Sequence, residues 1–345
     1  MELHLRQRGR ASIDFAADLG RITARLSKAT REEIAARVPE LAEDLDERLE
    51  QVEEALTDFP VFKSYRQLGE WMSDSHGRIT IDAFEQIRSE LEPEMARLQQ
   101  GETTLEKNPD CYMPAYWPDV EIHRTTGGWN GHEHMGFIHG ELIHKRYVAK
   151  NYPGLIFQQR SQVLDELPRD DYQDIFEMGT SSGHYTVALA KKFPHARITG
   201  CDLSVPMLEH AQRTGNEMGC AWRLIQAPFE ESGLPNESFD LVTSYIVLHE
   251  IPVDATHTMF AEAFRLLRPG GQVLMTDIRP YRDRDELDIW QQEFNAVNGG
   301  EPYWRGAALL DLADVATEHG FVDAKSYGLG EMHYPWVTVA TKPEN

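Results

Sequence analysis

Apolar and polar positions follow two periods along this chain, helical over roughly the first hundred residues and strand-like from residue 174 onward. Ile34, Val38, Leu41, Leu45, Leu49, Val52 and Leu56 recur at three- and four-residue steps with acidic residues between them. That is the stripe of a helix with one buried face, and residues 11 to about 100 read as helical. Phe62, Tyr65, Leu68, Trp71 and Met72 form another apolar face, ended by an expected turn at His76-Gly77. Thr80 or Asp82 then caps a helix running through Leu98. The 34–56 stripe has two readings: a coiled-coil seam joining a homodimer, or one helix packed on its own domain. About three heptads do not separate them.

From Gly101 to Gly131 the texture changes. Pro109, Pro114 and Pro118 interrupt Tyr112, Tyr116 and Trp117, and Trp129 sits among Gly127, Gly128 and Gly131. Aromatics are uncommon in disordered linkers, so an ordered loop of the kind that walls a pocket is expected. The next segment, His132 to Tyr147, reads as a helix. With His123 it brings five histidines into 22 residues. Ligands sharing one face of an α-helix fall three or four apart, whereas His132/His134 and His139/His144 are two and five apart, so no metal is expected. His123, Arg124, His139, His144, Lys145, Arg146 and Arg160 instead form a cationic cluster, which suits an anionic small substrate or, equally, a solvated basic face. Gly136 and Gly140, four apart, suit close approach of another element. A helix from Gly154 to Leu167 leads into the second half. The expected division is a helical domain over 1–154, carrying the aromatic and histidine-rich lid, and a ligand-binding domain over 155–345.

The second half opens as strand, glycine turn, helix. Ile175 and Phe176 are strand formers, Glu177-x-Gly179-x-x-x-Gly183 is the turn, and Val187, Leu189, Ala190 and Phe193 space one face of a helix. Ile198 to Asp202 reads as the next strand, with an acid at its end 19 residues after Gly183. Such an acid accepts from two ribose hydroxyls, in a dinucleotide or in another nucleoside cofactor. Ser181 stands where a pyrophosphate turn has its central glycine, and Glu177 suits a ligand carrying an ammonium group better than one carrying phosphates.

Composition narrows the classes. The chain has 345 residues, 41% hydrophobic and 26% charged, as in soluble globular proteins. A net charge of −23 argues against nucleic acid as partner, because phosphate contacts need a basic face. The first residues lead into no apolar stretch, so no signal peptide is expected, and no run approaches the roughly 18 apolar residues of a membrane span. Cys111, Cys201 and Cys220 have no paired spacing, which suits a reducing, cytoplasmic setting.

Four motifs in order, Glu177-Met-Gly-Thr-Ser-Ser-Gly183, Gly200-Cys-Asp-Leu-Ser-Val-Pro-Met-Leu208, Ser238-Phe-Asp-Leu-Val242 and Leu266-Leu-Arg-Pro-Gly-Gly271, resemble the class I S-adenosylmethionine-dependent methyltransferases. The resemblance covers residues 155–345. It implies a Rossmann-like α/β fold, a seven-stranded and mostly parallel sheet whose last strand, His333 to Lys342, is antiparallel. It implies S-adenosylmethionine as cofactor, with Glu177, Gly179, Thr180 and Gly183 around its methionine part. Asp202 would then bind the ribose, Leu203 and Met207 would pack on the adenine, and Ser244 would end the fourth strand beside the sulfonium. Many relatives have an Asp where Pro228 stands here, so the main chain of Phe229 or the side chain of Glu230 would serve the adenine. His249 resembles the general base of plant-type O-methyltransferases, although Leu-His also occurs in this class without proton transfer. The insertion from Tyr281 to Arg305 offers Trp290, Phe294, Tyr303 and Trp304 as a substrate wall or as core. Expected substrate contacts are Trp129, His139, His144, Arg146, Tyr147, Tyr303 and Trp304. The expected activity is methyl transfer to a small-molecule acceptor, anionic if the basic cluster lines the pocket, under a cap formed by the first domain. The rival expectations are an enzyme of this fold that uses the cofactor without transferring methyl, and an interaction protein built on the scaffold.

Overall fold

The computed structural model describes residues 3–117, 120–151 and 155–344, so Pro118 and the Gly154 start of the linking helix lie outside the described residues. Four helices open the chain: α1 (Gln7–Arg37), α2 (Leu45–Ala55), α3 (Pro60–Glu85) and α4 (Arg88–Leu98). The 34–56 stripe is therefore not one helix. Pro39 follows the end of α1, and Asp44 restarts the helix by accepting the N–H groups of Asp46 and Glu47 at 2.9 and 3.0 Å. The stripe packs within its own chain: Ile34, Val38, Val52 and Leu56 share a core with Phe62, Tyr65 and the distant Trp290 and Phe294.

The expected turn at His76-Gly77 is also absent, since α3 runs straight through it. Gly77 instead lets a loop come close, because a Cβ there would stand 3.2 Å from the Thr126 nitrogen. Thr80 is no cap, and its hydroxyl donates back to the His76 carbonyl at 2.8 Å.

A short strand β1 (Thr104–Glu106) follows. Then come α5 (Met135–Phe137), an 11-residue π-helix (Ile138–Val148), α6 (Ala149–Asn151) and α7 (Leu155–Gln162). The second half alternates β2 (Asp174–Met178), α8 (His184–Lys192), β3 (Arg197–Asp202), α9 (Val205–Met218), β4 (Arg223–Gln226), β5 (Phe239–Tyr245), α10 (Val253–Leu266) and β6 (Leu267–Asp277). It ends with α11 (Glu286–Gly299), α12 (Trp304–Leu309), α13 (Leu312–Glu318), β7 (Val322–Gly328) and β8 (Trp336–Thr341).

The sheet order is β1-β4-β3-β2-β5-β6-β8-β7, parallel except for β8, which is antiparallel to both neighbours. The seven strands from Asp174 onward have the expected arrangement, and β1 adds an eighth at the edge. Its three residues are too few to show a period in sequence. They pair with Arg223–Ile225, and the Arg223 guanidinium grips Glu106 at 2.7 and 3.1 Å. Strand side chains alternate between two cores: Phe176, Val242 and Met275 face α10 and α13, while Ile175, Leu241 and Leu274 face α8.

The helical half grips this sheet at two further places. Met207 of α9 joins a core built from Ile13, Phe84, Met135, Phe137 and Leu142. Trp290 and Phe294 of α11 stack at 5.3 Å and enter the core of α1 to α3, so those two insertion aromatics are packing residues. Trp290→Ala is expected to cost about 3–5 kcal/mol in urea unfolding; a loss below about 1 kcal/mol would show that the halves do not share this core.

Candidate active site

The carboxyl ends of parallel strands are where ligands bind in such sheets, because strand ends and helix starts there leave polar backbone free. Here that edge collects Glu177, Asp202, Ser244, Tyr245 and Asp277. Gly179 turns the chain at φ 77°, and a Cβ on it would lie 2.7 Å from Val247. The turn is tied to β3: the N–H groups of Gly179 and Thr180 donate to the Cys201 carbonyl at 3.0 and 2.9 Å. The N–H of Ser181, itself at φ 50°, donates to Asp202 Oδ2 at 2.8 Å, and that of Ser204 to Oδ1 at 2.9 Å. Burial still outweighs these bonds and pushes the Asp202 carboxyl up to about 6.

Glu177 is buried, and the Thr186 hydroxyl donates to it at 2.6 Å. Burial, opposed by that hydroxyl, pushes its pKa up to about 8. Arg160, also buried, stacks over the Tyr245 ring at 4.8 Å and donates to the Ile156 carbonyl. Among the described residues no carboxylate lies within ion-pair distance of this guanidinium, and burial lowers its pKa. Thr180 Oγ1 and Ser244 Oγ are buried without a partner among the described residues.

Leu203, Met207 and Phe229 are buried beside this turn. Glu230 takes a hydrogen bond from the Tyr116 hydroxyl on one oxygen, while its other oxygen is buried and unpartnered. Burial raises the Glu230 pKa. These groups fit S-adenosylmethionine part by part. Glu177 suits an ammonium, Arg160 a carboxylate, Asp202 two hydroxyls, the apolar trio a purine and the free Glu230 oxygen an exocyclic amine.

A second cluster faces the end of β6. His249 is buried in a 3₁₀ turn after β5, and its Nδ1 lies 2.9 Å from Asp277 Oδ1. Asp277 is aimed by the Leu248 and Ile278 N–H groups at 2.6 and 2.7 Å. Burial alone would lower the His249 pKa, but Asp277, Glu250 and Glu301 together push it up to about 9. His123 makes a hydrogen bond with Glu250 at 3.2 Å and pairs with Glu301. Burial opposes those carboxylates, which still push His123 up to about 10.

The expected substrate residues divide. His139 and His144 have ring centroids 4.2 Å apart, and His144 Nδ1 lies 3.3 Å from His184 Nδ1. The five-residue spacing that counts against a shared face in an α-helix creates one in a π-helix, whose bonds run i to i+5. Burial, with His123 and Arg160 nearby, lowers His139 to about 3, and burial holds His144 and His184 well below the ordinary value. Trp129 packs edge-on against His139 at 4.8 Å and His123 at 5.9 Å, and its carbonyl accepts from Ser204. Trp304 lies edge-on to His249 at 5.4 Å, with its indole nitrogen buried and unpartnered. Tyr303 meets Tyr116 at 6.3 Å.

The basic residues do not converge: Arg124 pairs with Asp74, Lys145 with Glu141, and Arg146 donates to the Leu3 carbonyl. Tyr147 stacks on His76 at 5.6 Å. Gly136 and Gly140 do permit close packing, since a Cβ on Gly136 would stand 2.3 Å from the Pro206 carbonyl of α9.

Asp277, Glu301 and His184 are absent from the residues expected in sequence. Asp277 was reachable, as an acid ending a parallel strand. Glu301 follows the positive-φ Gly300 in an insertion and carries no sequence signal.

Residues 175–271 match the family model of a methyltransferase domain. A malonyl-(acyl-carrier protein) O-methyltransferase from Hahella chejuensis is 31% identical over 43% of this chain and 50% of its own length. A trans-aconitate 2-methyltransferase from Streptomyces coelicolor is 34% identical over 39% of this chain and 42% of its own. A ubiquinone/menaquinone biosynthesis C-methyltransferase from Desulfotalea psychrophila is 29% identical over 47% and 72%. A Nostoc punctiforme structure, provisionally described as an O-methyltransferase, covers 95% of this chain and 98% of its own at TM-score 0.50 and 14% identity, and so shares the fold. Residues 175–271 thus carry a methyltransferase domain, and these relatives support a class I S-adenosylmethionine-dependent methyltransferase, a class whose cofactor is S-adenosylmethionine. The chain spans about half the length of the first of these relatives. No described helix is long and apolar enough to cross a membrane.

Glu177 yields a pH prediction. Its folded pKa, about 8, lies above the ordinary 4.5, so its contribution to stability is complete below pH 4.5 and is lost as pH rises toward about 8. Glu177→Gln keeps the site neutral. The cofactor-free variant is expected to be about 1–3 kcal/mol more stable than wild type at pH 8 in urea unfolding, the difference closing toward acid pH. Equal or lower stability of the variant at pH 8 would contradict the burial argument.

Proposed function

We propose that the protein transfers a methyl group from S-adenosylmethionine to an anionic oxygen of a small molecule, held between the sheet edge and the helical half. The observation that carries this reading is the pairing of two sites on one edge. Glu177 and Asp202 at the tied turn, with Arg160 of α7, hold the donor in this reading, and the His249–Asp277 pair stands at the end of the neighbouring strands. In this reading residues 155–345 hold the donor, and residues 1–154 cap the cleft and shape the acceptor pocket. The relatives named for malonyl and trans-aconitate substrates support an acceptor of carboxylate type. A net charge of −23 supports a small molecule rather than nucleic acid or an anionic membrane, and the sparse, unpaired cysteines support a cytoplasmic setting.

When bound, the cofactor supplies a methyl carbon on a sulfonium, open to in-line displacement. Arg160 and Glu177 orient the donor's amino-acid end, and Asp202 fixes its ribose. Trp129 and Trp304 exclude water over the reacting end. His249, held by Asp277 and carrying its proton at neutral pH, attracts and aligns an oxyanion. Such an acceptor arrives deprotonated, so the imidazole acts through charge.

Calorimetry and product analysis test this. Wild type is expected to bind S-adenosylmethionine and to release S-adenosylhomocysteine with a carboxylate acceptor, while Arg160→Ala and Asp202→Ala weaken cofactor binding about ten- to a hundredfold. Absence of binding at millimolar cofactor rejects the reading. His249→Ala is expected to lower kcat about 10²–10³-fold with cofactor affinity unchanged. In EDTA-containing buffer the wild-type rate is expected to fall as pH rises through about 9, where His249 loses its proton. A rate that climbs through the same range would instead assign His249 as a base.

A further inference from the structure

The cluster around His249 contains more than the charge role requires. Two imidazoles, on separate segments, are arranged alike. His249 directs Nδ1 at Asp277, 2.9 Å away, and its Nε2 lies 4.0 Å from Glu250 Oε1. His123 directs Nδ1 at Glu301, and its Nε2 lies 3.2 Å from the same Glu250 oxygen. Each ring thus has Nδ1 fixed by a carboxylate and Nε2 facing Glu250, where a bound cation would take the place of the Nε2 proton. A carboxylate behind the ring is the usual support of a metal-bound histidine, since it sets the tautomer and strengthens the ligand.

The three ligand atoms, His123 Nε2, His249 Nε2 and a Glu250 oxygen, lie within 4.8 Å of one another. Atoms sharing a tetrahedral ion at about 2.0–2.1 Å stand roughly 3.4 Å apart, so small side-chain rotations close the site. Among the described residues no other three His, Cys, Asp or Glu groups converge in this way. The π-helix histidines do not, although their rings are close.

Two further observations concern His123. It and Arg124 both occupy the left-handed region, at φ 57° and 52°, an uncommon conformation for residues other than glycine. Arg124 is held there by Asp74 at 2.9 Å. Strain of this kind persists where surrounding structure imposes it, and here it turns the His123 ring between two carboxylates. Behind that ring, Glu301 Oε2 is buried with no partner.

We propose that His123, His249 and Glu250 form a binding site for a divalent first-row transition-metal ion, with Asp277 and Glu301 orienting the two imidazoles. Two nitrogens and one carboxylate oxygen suit Zn²⁺, Co²⁺ or Fe²⁺ better than Mg²⁺ or Ca²⁺, which prefer all-oxygen cages. Three protein ligands leave a coordination position open. The ion would hold the acceptor's oxygen there, a role that rests on the methyl-transfer reading, whereas the binding site itself does not.

The test uses tag-free full-length protein, stripped with EDTA and desalted, without cofactor or acceptor. Titration with ZnCl₂ by calorimetry, and metal analysis after dialysis, are expected to show one ion per chain at about micromolar affinity or tighter. Co²⁺ is expected to give visible absorption of a low-symmetry nitrogen and oxygen site. His123→Ala and Glu250→Gln should each weaken Zn²⁺ binding more than tenfold, with circular dichroism unchanged. Glu301→Gln, which removes a support and no ligand, should weaken it about 10–100-fold and serves if His123→Ala does not fold. His139→Ala should bind as wild type. Fewer than about one ion per ten chains would overturn the proposal. So would wild-type affinity in Glu250→Gln, or loss of binding in His139→Ala. A protein that binds Zn²⁺ as expected yet transfers no methyl group would retain the site and reject only the methyl-transfer reading.

Discussion

The Asp202 carboxylate, gripped by the backbone N–H groups of Ser181 and Ser204, is the interaction on which the turn after β2 and the start of α9 depend. One side chain at the end of β3 closes the turn after β2 and starts α9. The turn places Glu177, Thr180 and Ser244 around one space, and α9 presents Met207 to its side. Were Asp202 exposed, water would compete for both N–H groups and the turn would lose its anchor. Burial makes the bonds effective and raises the carboxyl's pKa.

The same edge of the sheet concentrates buried charge whose signs are not balanced locally. Among the described residues Glu177 takes a side-chain hydrogen bond from the Thr186 hydroxyl, and Arg160 stacks on an aromatic ring with no carboxylate within ion-pair distance. Buried charge of this kind opposes folding, and it persists where a ligand completes it. On the His249 side the imbalance is of the opposite kind: three carboxylates surround two imidazoles, which holds the histidines protonated or leaves them free to take a cation.

The helical half makes this arrangement possible. Its two cores reach the sheet through Met207 on one side and through Trp290 and Phe294 on the other. Between those grips lie the Trp129 loop and the π-helix, which carry His123, His139 and His144 over the strand ends. Strand β1 extends the sheet from the same half, so the two halves are joined by backbone hydrogen bonds as well as by packing.

The sequence by itself determined the donor side. Glu177, Gly179, Gly183 and Asp202 lie within one βαβ unit, where local periodicity and turn chemistry set which side chains meet, and the resemblance carried by the motifs implied the seven-stranded, mostly parallel sheet. It also showed helices over the first hundred residues. It did not show the break at Pro39 or the continuity of α3 through Gly77, because a helical stripe looks alike whether or not a loop or proline interrupts its axis. Tertiary structure alone decided which groups surround His249. His123, His249, Glu250, Asp277 and Glu301 come from four separate segments, and no local period relates them. The π-helical backbone across 138–148 was likewise not readable from the sequence pattern. That backbone, with i to i+5 bonds, brought His139 onto His144, which an α-helix with the same sequence would have kept apart.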